Sequence, residues 1–279
     1  MLRPPDGLGQ HLHGAAEALW QQLEPLLPGL TVEVVARAGS TNTRLLERAR
    51  RTGDVQPCLL VAEHQTAGRG RLGRHWFASA GASLTFSLAL PMAPREWSGL
   101  SLAVGLALAD ALEPPTAATP RIVLKWPNDL WLRDTPGAGR KLGGILIETV
   151  SVGGQRLCVV GVGLNVMQQP DHGPSAASAC LQEVMADISA PAALARVVEP
   201  LVRGLLRFQQ HGFAPLSAGY ARRDLLLNQP VSTTAPELPL GVADGVDAHG
   251  GLRLRAGAAV HTVVSGEVSV RLLPQGAEA

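Results

Sequence analysis

A short loop rich in arginine and glycine is the strongest chemical signal in this sequence. The loop, Gly68–Trp76, has the sequence GRGRLGRHW and follows a predicted strand, Cys58–Ala62. Arginine forks bind phosphate or carboxylate oxygens in pairs, and glycine lets the backbone approach a ligand closely. The loop therefore predicts an anion-binding site, although a solvated basic loop or an RNA-contacting tract would have the same composition. It is not a Walker A loop, because GxxxxGK[ST] is missing.

Polar residues at the ends of predicted strands give two more candidate sites. Lys125–Leu132 (KWPNDLWL) places Lys125, Asn128 and Asp129 around a Trp-Pro corner. Lysine with aspartate suits a nucleotide phosphate and Mg²⁺, which takes carboxylate oxygens as ligands. Lys141–Glu148 (KLGGILIE) has one lysine before a glycine pair that leaves main-chain groups open to a ligand.

Two shorter segments are weaker signals. Gly161–Val166 (GVGLNV) is a glycine-rich strand end with one asparagine, and its spacing rules out a dinucleotide-binding fingerprint. Ser40–Asn42 (STN) precedes a predicted helix, where these residue types also serve as an N-terminal cap. Taken alone, each of these segments is also consistent with a solvated turn or a helix cap.

Length and composition narrow the class of protein. The chain has 279 residues, with 24 basic and 23 acidic side chains, a formal net charge of +1 and 46% hydrophobic residues. These values indicate a folded globular protein and give no basic face for nucleic acid. Codon bias accounts for 22 arginines against two lysines, yet Lys125 and Lys141 both lie in the segments above. A position that keeps lysine in this background is one where a compact ammonium matters.

Cysteine and histidine spacing argues against a metal centre or a covalent nucleophile. The chain has an odd number of cysteines, and no two of them have CxxC spacing, so buried thiols are expected at Cys58, Cys158 and Cys180. The eight histidines have no metal-ligand spacing, and GxSxG is absent. The N-terminus lacks a signal-peptide pattern, and Leu100–Leu112 is too short to span a bilayer. We therefore expect a cytoplasmic protein without a membrane anchor.

Hydrophobic periodicity and turn residues predict strands and helices along most of the chain. The N-terminal segment is predicted to hold one helix, about Ala15–Leu27, interrupted at Pro25. A glycine- and proline-containing loop is predicted at Asp134–Arg140. The predicted strands are 31–36, 58–62, 83–90, 122–126, 129–132, 142–150 and 156–162, and the other predicted helices are 43–51, 98–112 and 192–213.

These elements predict an α+β fold with three parts. An N-terminal helical extension (1–30) precedes a mixed or antiparallel sheet with helices packed on it (31–224), and a small β-module (225–279) follows. In the last part, short alternating segments are separated by turns, including a predicted hairpin turn at Asp247–Gly251. About thirty residues before the first strand cannot hold a helix-turn-helix and a linker, so no DNA-binding domain is expected.

The order of the motifs resembles that of the biotin protein ligase family, the biotin–[acetyl-CoA-carboxylase] ligases. STN, AEHQTAGRGRLGRHW, KWPNDLWL, KLGGILIE and GVGLNV follow one another from Ser40 to Val166. Asn228–Val231 and Gly266–Arg271 resemble the tail of the family more weakly. The resemblance implies the class II synthetase-like biotin/lipoate ligase fold with a C-terminal SH3-like β-barrel. It also implies the monofunctional class, which lacks a DNA-binding domain.

The resemblance implies a two-step reaction of biotin and ATP, with Mg²⁺. Biotin's carboxylate would attack the α-phosphate of ATP, giving biotinyl-5′-AMP and pyrophosphate. A lysine amine of the biotin carboxyl carrier protein would then displace AMP. The implied biotin-binding residues are Ser40, Thr41, Asn42, Gln65, Arg69, Gly70, Arg71, Trp76, Lys141, Gly143 and Gly144. The implied ATP-binding residues are Arg71, Arg74, Trp76, Lys125, Asn128, Asp129, Lys141 and Asn165; Lys141, Arg71 and Arg69 would be catalytic and Asp129 would hold the metal.

The sequence departs from the family pattern at three places, one of them inside the Gly68–Trp76 loop. His75 stands where many relatives have lysine, Ser265–Glu267 (SGE) replaces Gly-Gly-Glu, and the predicted loop Asp134–Arg140 is long. Two alternatives remain: a lipoate or octanoate ligase or transferase of the same superfamily, and a non-catalytic RNA- or anion-binding module. GRGRLGRHW and KWPND favour biotin, and one tyrosine with four phenylalanines disfavours a nucleic-acid surface. Both a monomer and a homodimer are compatible with the sequence.

Overall fold

In the described residues, the strands come mostly in runs that helices separate, as expected for an α+β fold. The computed structural model describes residues 8–116, 118–169, 178–264, 266 and 268–273. The helices are α1 (Leu8–Leu23), α2 (Thr41–Thr52), α3 (Leu100–Leu112), α4 (Ala190–His211) and α5 (Ser217–Arg223). The strands are β1 (Thr31–Ala38), β2 (Cys58–Gln65), β3 (Gly68–Arg69), β4 (His75–Trp76), β5 (Ser83–Pro91), β6 (Ile122–Lys125), β7 (Asp129–Thr135), β8 (Ala138–Val152), β9 (Gln155–Asn165), β10 (Pro230–Thr233), β11 (Leu240–Val246), β12 (Leu252–Ala256), β13 (Ala259–Val263) and β14 (Val270–Leu272). The predicted α+β class is confirmed.

The chain divides into two units, which are described separately. Unit 1 comprises Met1–Ala93 and Leu142–Arg203, and unit 2 comprises Pro94–Lys141 and Gly204–Ala279. The strands of unit 1 are hydrogen-bonded in the order β1-β2-β5-β9-β8. β1 and β2 are parallel, and the other neighbouring pairs are antiparallel, so the sheet is mixed. β5 is buried from Ser83 to Leu90, which places it at the centre of the core of unit 1.

The first helix begins and ends earlier in the sequence than predicted. α1 begins seven residues before the predicted Ala15 and ends at Leu23, so the predicted bounds are wrong. A proline disfavours helical backbone at the residue before it, and Pro25 therefore ends the helix rather than interrupting it. Leu12, Leu19 and Leu23 are buried, so the apolar face of α1 belongs to the core.

The loop predicted at Asp134–Arg140 is wrong, because most of this segment is strand. β7 ends at Thr135 and β8 begins at Ala138, so only two residues separate the two strands. Pro136 and Gly137 occupy the two central positions of this turn, and Gly137 takes a left-handed φ of 74°, which the second central position of a type II turn requires and glycine adopts without strain. Arg140 and Asp134 form an ion pair of 2.8 Å across the hairpin, and this pair lowers the pKa of the carboxyl group.

The C-terminal part of unit 2 is an antiparallel sheet, which confirms the predicted β-module. Its five strands follow the order β13-β12-β11-β10-β14. The turn predicted at Asp247–Gly251 joins β11 to β12, and the Asp247 carboxylate accepts hydrogen bonds of 2.8 Å from the N–H groups of His249 and Gly251. The side chain of a buried tryptophan in the β6–β7 connection, Trp126, donates to the carbonyl of Gly250 at 3.0 Å.

A buried arginine organises the other half of unit 2. Arg223, at the end of α5, has a side chain that is 2% exposed. Its guanidinium donates to Asp110, to Glu113 and to the carbonyl of Ile122, each at 2.8 Å. Because Ile122 begins β6, this cluster ties two helices to the strand that carries Lys125.

Asp224, the residue after Arg223, makes the stability of unit 2 depend on pH. Burial raises the pKa of Asp224 from its ordinary value of 3.8 to about 6, although the Leu226 N–H donates to the carboxylate at 2.8 Å. The folded chain therefore binds this proton more tightly than the unfolded chain does. The contribution of Asp224 to the free energy of unfolding falls as pH rises from about 4 to about 6.

Asp224→Asn is therefore expected to remove this decline. Relative to the parent chain, the variant should gain up to about 3 kcal/mol in unfolding free energy between pH 4 and pH 7, since the carboxylate is buried when charged. Urea denaturation at both pH values measures the difference. The matched control is Asp187→Asn at an exposed carboxylate. Equal behaviour of the two variants would contradict the buried charge.

The cysteines agree with the prediction of buried thiols. Cys58, Cys158 and Cys180 are all buried and free. Burial raises the pKa of Cys158 to about 12, so its thiol stays protonated and unreactive at neutral pH. Among the described residues, no helix is both long and apolar enough to cross a membrane.

Candidate active site

Four residues predicted for one site meet where β2 ends beside the start of α2. Ser40 caps α2, its side chain accepting a hydrogen bond from the Thr43 N–H at 3.4 Å. The backbone N–H and the hydroxyl oxygen of Thr41 lie 2.7 and 3.0 Å from Gln65 Oε1. Ser40, Thr41 and Asn42 are 7%, 3% and 3% exposed. The STN corner is therefore a helix cap and also part of a buried polar cluster with Gln65.

Asn42 is held by polar groups that the sequence analysis does not assign to the site. Its Nδ2 donates to the Leu146 carbonyl at 3.1 Å and to Glu148 Oε2 at 2.9 Å. Its Oδ1 lies 2.6 Å from the hydroxyl of Ser87, which is fully buried. The signal for Ser87 was the row of alternating hydroxyl residues over Ser83–Ser87, inside a strand whose other residues are apolar.

The arginine- and glycine-rich segment folds into a small hairpin rather than an extended loop. β3 pairs with β4, Gly68 opposite Trp76 and Arg69 opposite His75, around a 3₁₀ turn. The turn places Leu72 at a left-handed φ of 57°. Arg69, Arg74 and His75 are exposed, and Arg71 and Gly70 are partly buried. The predicted anion-binding side chains are therefore grouped on one short hairpin at the surface of unit 1.

Trp76 packs directly on the backbone of β9. A Cβ atom added at Gly163 would overlap the indole ring, its Cζ2 and Nε1 atoms lying 2.7 Å away. A Cβ atom at Gly161 would likewise meet the Asn42 amide, with Cγ 2.9 Å away. The two glycines of GVGLNV thus allow two predicted site residues to approach the sheet.

Gly163→Ala is expected to displace Trp76 and to weaken ligand binding at this end of unit 1. A displacement of about 1 Å in a binding site can cost on the order of 100-fold, so we expect a loss of ligand affinity of about 10- to 100-fold. Titration calorimetry with biotin, the ligand that the motif order predicts, measures this loss, and the tryptophan emission reports the movement. Gly14→Ala, where nothing lies within 4 Å, is the control. Unchanged affinity in Gly163→Ala would show that the ring does not border the ligand.

The two lysines have different partners in unit 2. Lys141 Nζ lies 2.7 Å from Asp129 Oδ1, and its side chain is 42% exposed. Lys125 Nζ donates to the carbonyl of Val270 at 2.6 Å and lies 5.4 Å from the centre of the Trp131 ring. The structure therefore brings together Lys141 and Asp129 from two predicted motifs, while the C-terminal strand β14 holds Lys125. Asn128, next to Asp129, is partly buried.

The remaining predicted residues lie on β8 and β9. Asn165 is 5% exposed, and its Nδ2 donates to the Ala179 carbonyl at 3.0 Å. Gly143 is buried, and a Cβ atom there would come within 2.7 Å of the Gly163 carbonyl oxygen. Gly144 is partly buried on the same strand, which also carries Lys141 near its start. Asn165 therefore fixes the position of the chain around Ala179 by a hydrogen bond, and Gly143 permits close pairing of β8 with β9.

The polar and charged groups of each unit are suited to binding and to charge stabilisation. Unit 1 holds a buried set of hydroxyl and amide groups and a cationic hairpin. Unit 2 holds an ammonium group beside a carboxylate. The groups of unit 1 can bind a polar ring and an anion, and the ammonium group of unit 2 can neutralise a phosphoryl oxygen.

Comparison with known proteins agrees with the motif order. Residues 34–165 match the model of the Biotin/lipoate A/B protein ligase family. The Mycobacterium tuberculosis biotin–[acetyl-CoA-carboxylase] ligase is 36% identical over 276 residues, 96% of each chain. The Escherichia coli bifunctional ligase/repressor BirA is 33% identical, covering 90% of this chain and 77% of its own length.

Solved structures give the same result for the fold. The biotin protein ligase from Aquifex aeolicus in complex with biotin and ATP aligns with a TM-score of 0.72 and 27% identity, covering 87% of this chain and 99% of that one. The Leishmania major biotin protein ligase in complex with biotinyl-5-AMP, at 22% identity and a TM-score of 0.55, shares the fold. With a full-length relative above 30% identity, the chain belongs to the biotin/lipoate A/B protein ligase family, among the biotin protein ligases.

Proposed function

We propose that the chain is an ATP-dependent biotin protein ligase that modifies the biotin carboxyl carrier protein of acetyl-CoA carboxylase. The observation that carries this conclusion is the 36% identity with a biotin–[acetyl-CoA-carboxylase] ligase along 96% of both chains. Biotin's carboxylate attacks the α-phosphate of ATP, and pyrophosphate leaves. The ε-amine of a carrier lysine then attacks the acyl carbon of biotinyl-5′-AMP; AMP leaves and a proton is released.

Unit 1 is assigned the biotin end of this reaction. Ser40, Thr41, Asn42 and Gln65 form a buried polar cluster of the kind that a ureido ring needs, since a polar group is buried at low cost only when hydrogen-bonded. Trp76 supplies an apolar wall, and the Gly143–Gly144 backbone lies along the ligand. Arg69, Gly70 and Arg71 of the hairpin contact the biotin carboxylate and the phosphate bound to it.

Phosphate contacts are assigned to the cationic residues. Lys141 contacts the acyl-phosphate oxygens in both steps, with Arg71 and Arg69 stabilising the charge that develops there. Arg74, Lys125 and Asn128 serve the triphosphate, and Trp76 and Asn165 the nucleotide. The Lys125 ammonium group donates a hydrogen bond to the carbonyl of Val270, so the C-terminal sheet helps to position it.

Asp129 is assigned to Mg²⁺ that enters with ATP. Within the described residues, no three His, Cys, Asp or Glu side chains form a cluster that could hold a metal ion. Mg²⁺ on a nucleotide needs only one or two protein carboxylates besides the phosphates and water, so Asp129 fits this demand. The ion would neutralise phosphate charge during the attack, while Lys141, 2.7 Å from Asp129, keeps the carboxylate oriented.

Two departures and the wider setting also belong to this proposal. His75 is exposed on the hairpin, so its replacement of lysine removes one permanent charge near the phosphates. The SGE segment Ser265–Glu267 lies largely outside the described residues, since only Gly266 of it is described.

We assign the protein to the cytoplasm on the basis of its free buried thiols. We assign it no DNA or membrane partner on the basis of its near-neutral charge. We assign it the state of a monomer or a homodimer.

Transfer of labelled biotin to the carrier domain, with ATP and Mg²⁺, tests the function. We expect label on the carrier lysine, equimolar AMP and loss of activity in EDTA. Lipoate is the competing substrate in the same assay, and the carrier domain with its target lysine replaced by arginine is the control. A preference for lipoate, or no transfer of either acid, would overturn the assignment.

A further inference from the structure

The hydroxyl of Ser87 lies at the centre of the polar cluster in unit 1. Ser87 is fully buried in β5, and its Oγ lies 2.6 Å from both Thr41 Oγ1 and Asn42 Oδ1. A serine hydroxyl has one hydrogen to donate and lone pairs to accept with. The hydrogen positions in this cluster therefore depend on whether the Thr41 hydroxyl and the Asn42 amide oxygen can donate or only accept.

The Asn42 amide can take one orientation in this cluster. Its Nδ2 faces two acceptors, the Leu146 carbonyl at 3.1 Å and the Glu148 carboxylate at 2.9 Å. An amide turned the other way would place its oxygen against both acceptors, which is unfavourable in a buried site. Both amide hydrogens are therefore used, and Oδ1, which has no hydrogen, faces Ser87. The short contact of 2.6 Å then requires that Ser87 donates to Asn42.

The same reasoning fixes the hydroxyl of Thr41. The Ser87 hydrogen is committed to Asn42, so the 2.6 Å contact between the two hydroxyl oxygens needs the hydrogen of Thr41. If Thr41 instead donated to Gln65 Oε1 at 3.0 Å, two hydroxyl oxygens would face each other without a proton between them. Gln65 Oε1 already accepts the Thr41 N–H at 2.7 Å. Thr41 therefore donates to Ser87, and Ser87 donates to Asn42.

Thr41 Oγ1 is left as an acceptor toward any further partner. The Thr41 N–H also fixes the Gln65 amide, because Oε1 faces Thr41 and Nε2 forms its donor end. One acceptor and one donor side by side complement a ureido group, which presents an N–H beside a carbonyl.

We propose that Ser87 is a positioning residue that commits the Thr41 hydroxyl as an acceptor, and so makes the site select a ligand with a ring N–H. The inference rests on the proposed function, in which this cluster holds the biotin ring. Ser87 does not touch the ligand in this mechanism. A site whose buried hydrogen-bonding groups are fixed in polarity rejects an analogue that lacks the matching donor far more strongly than a site that can readjust.

The probes are biotin and its two cyclic carbamate analogues, in each of which one ring N–H is replaced by oxygen. In the parent chain we expect biotin to bind about 100-fold more tightly than the discriminated analogue, because an oxygen would face the Thr41 acceptor. In Ser87→Ala the Thr41 hydroxyl is free to turn and donate to that oxygen. The preference is then expected to fall by about tenfold or more, since nothing then holds the Thr41 hydroxyl as an acceptor.

Matched variants separate polarity from packing. Ser87→Cys keeps the bulk but is a poor donor, so it is expected to lose the preference as Ser87→Ala does. Ser87→Thr keeps the hydroxyl and is expected to keep the preference. Thr85→Val removes another buried hydroxyl of β5, which donates to the Ala62 carbonyl at 3.0 Å, and is expected to keep it too. Calorimetric dissociation constants for each ligand give the ratios without ATP.

Two results would overturn the role of Ser87. One is an unchanged preference in both Ser87→Ala and Ser87→Cys while biotin binding weakens equally with every ligand, which would indicate packing alone. The other is a loss of preference in Ser87→Thr or Thr85→Val as large as that in Ser87→Ala. Failure of the proposed function looks different, because the parent chain would then neither bind biotin nor transfer it.

Discussion

Lys141→Arg is expected to reduce biotinyl-adenylate formation by about 100-fold or more, although the charge is kept, because an electrostatic contact to the reacting phosphoryl group is worth on this order. The ammonium of Lys141 is a compact point charge 2.7 Å from Asp129 Oδ1 on a side chain that is 42% exposed. A guanidinium is planar and pairs with a carboxylate through two parallel hydrogen bonds. Arginine at this position would bind Asp129 in that way, and the carboxylate would then hold it away from the acyl phosphate.

Biotin-dependent release of pyrophosphate measures this effect, and biotin affinity shows whether the site is intact. Arg140→Lys is the matched control, since it is the reverse exchange at the neighbouring residue of β8. It weakens the hairpin contact between Arg140 and Asp134, at 2.8 Å, and we expect activity within about twofold of the parent, as for most surface changes. Near-parental release of pyrophosphate by Lys141→Arg would contradict a direct role in the chemical step.

Arg223→Ala is expected to lower the free energy of unfolding by about 3 kcal/mol, the lower end of the cost of breaking a buried ion pair, because Asp110 and Glu113 are partly exposed. The guanidinium is 2% exposed and donates to Asp110, Glu113 and the Ile122 carbonyl, each at 2.8 Å. Alanine would leave two carboxylates and a main-chain oxygen without these donors. Because Ile122 begins β6, which ends at Lys125, we expect the KM for ATP to rise as well.

Arg222→Ala is the matched control for the stability measurement. This neighbouring arginine of α5 is exposed, so its loss should change the free energy of unfolding by no more than about 0.5 kcal/mol. Arg223→Lys keeps the charge but not the fork and should lie between the two. A loss below about 1 kcal/mol in Arg223→Ala, measured by urea denaturation, would mean that water or a rearrangement replaces the guanidinium.

The sequence predicts much of the fold because strand and helix signals are local. The alternation in Ser83–Leu90 places β5 correctly, and the Ser40–Asn42 corner places the start of α2 to within two residues. The segment Asp134–Arg140 contains Pro and Gly, which favoured a loop over a two-residue turn. The pairing of β7 with β8 decides that segment, and a cross-strand ion pair six residues apart is not visible as a periodic pattern.

The candidate site is predictable to a similar extent. Residues in contiguous motifs, such as the STN corner and the hairpin Gly68–Trp76, are recognisable from residue type and order. Ser87 and Glu148 stand outside the residues singled out for the site, yet they bond Asn42 from 45 and 106 residues away. Hydrophobic patterning does not distinguish a buried serine in a cluster from one that merely fills a strand.

By itself, the sequence determined the family and the chemistry of the charged groups, because both depend on residue type and order along the chain. Both lysines and three of the four asparagines fall in the ligase motifs. Tertiary structure alone decided which of those groups share a hydrogen bond. It paired Lys141 with Asp129, placed Lys125 on Val270 and ordered the hydroxyls around Ser87. Hydrogen bonds act over about 3 Å, so their direction is set only once distant segments are packed together.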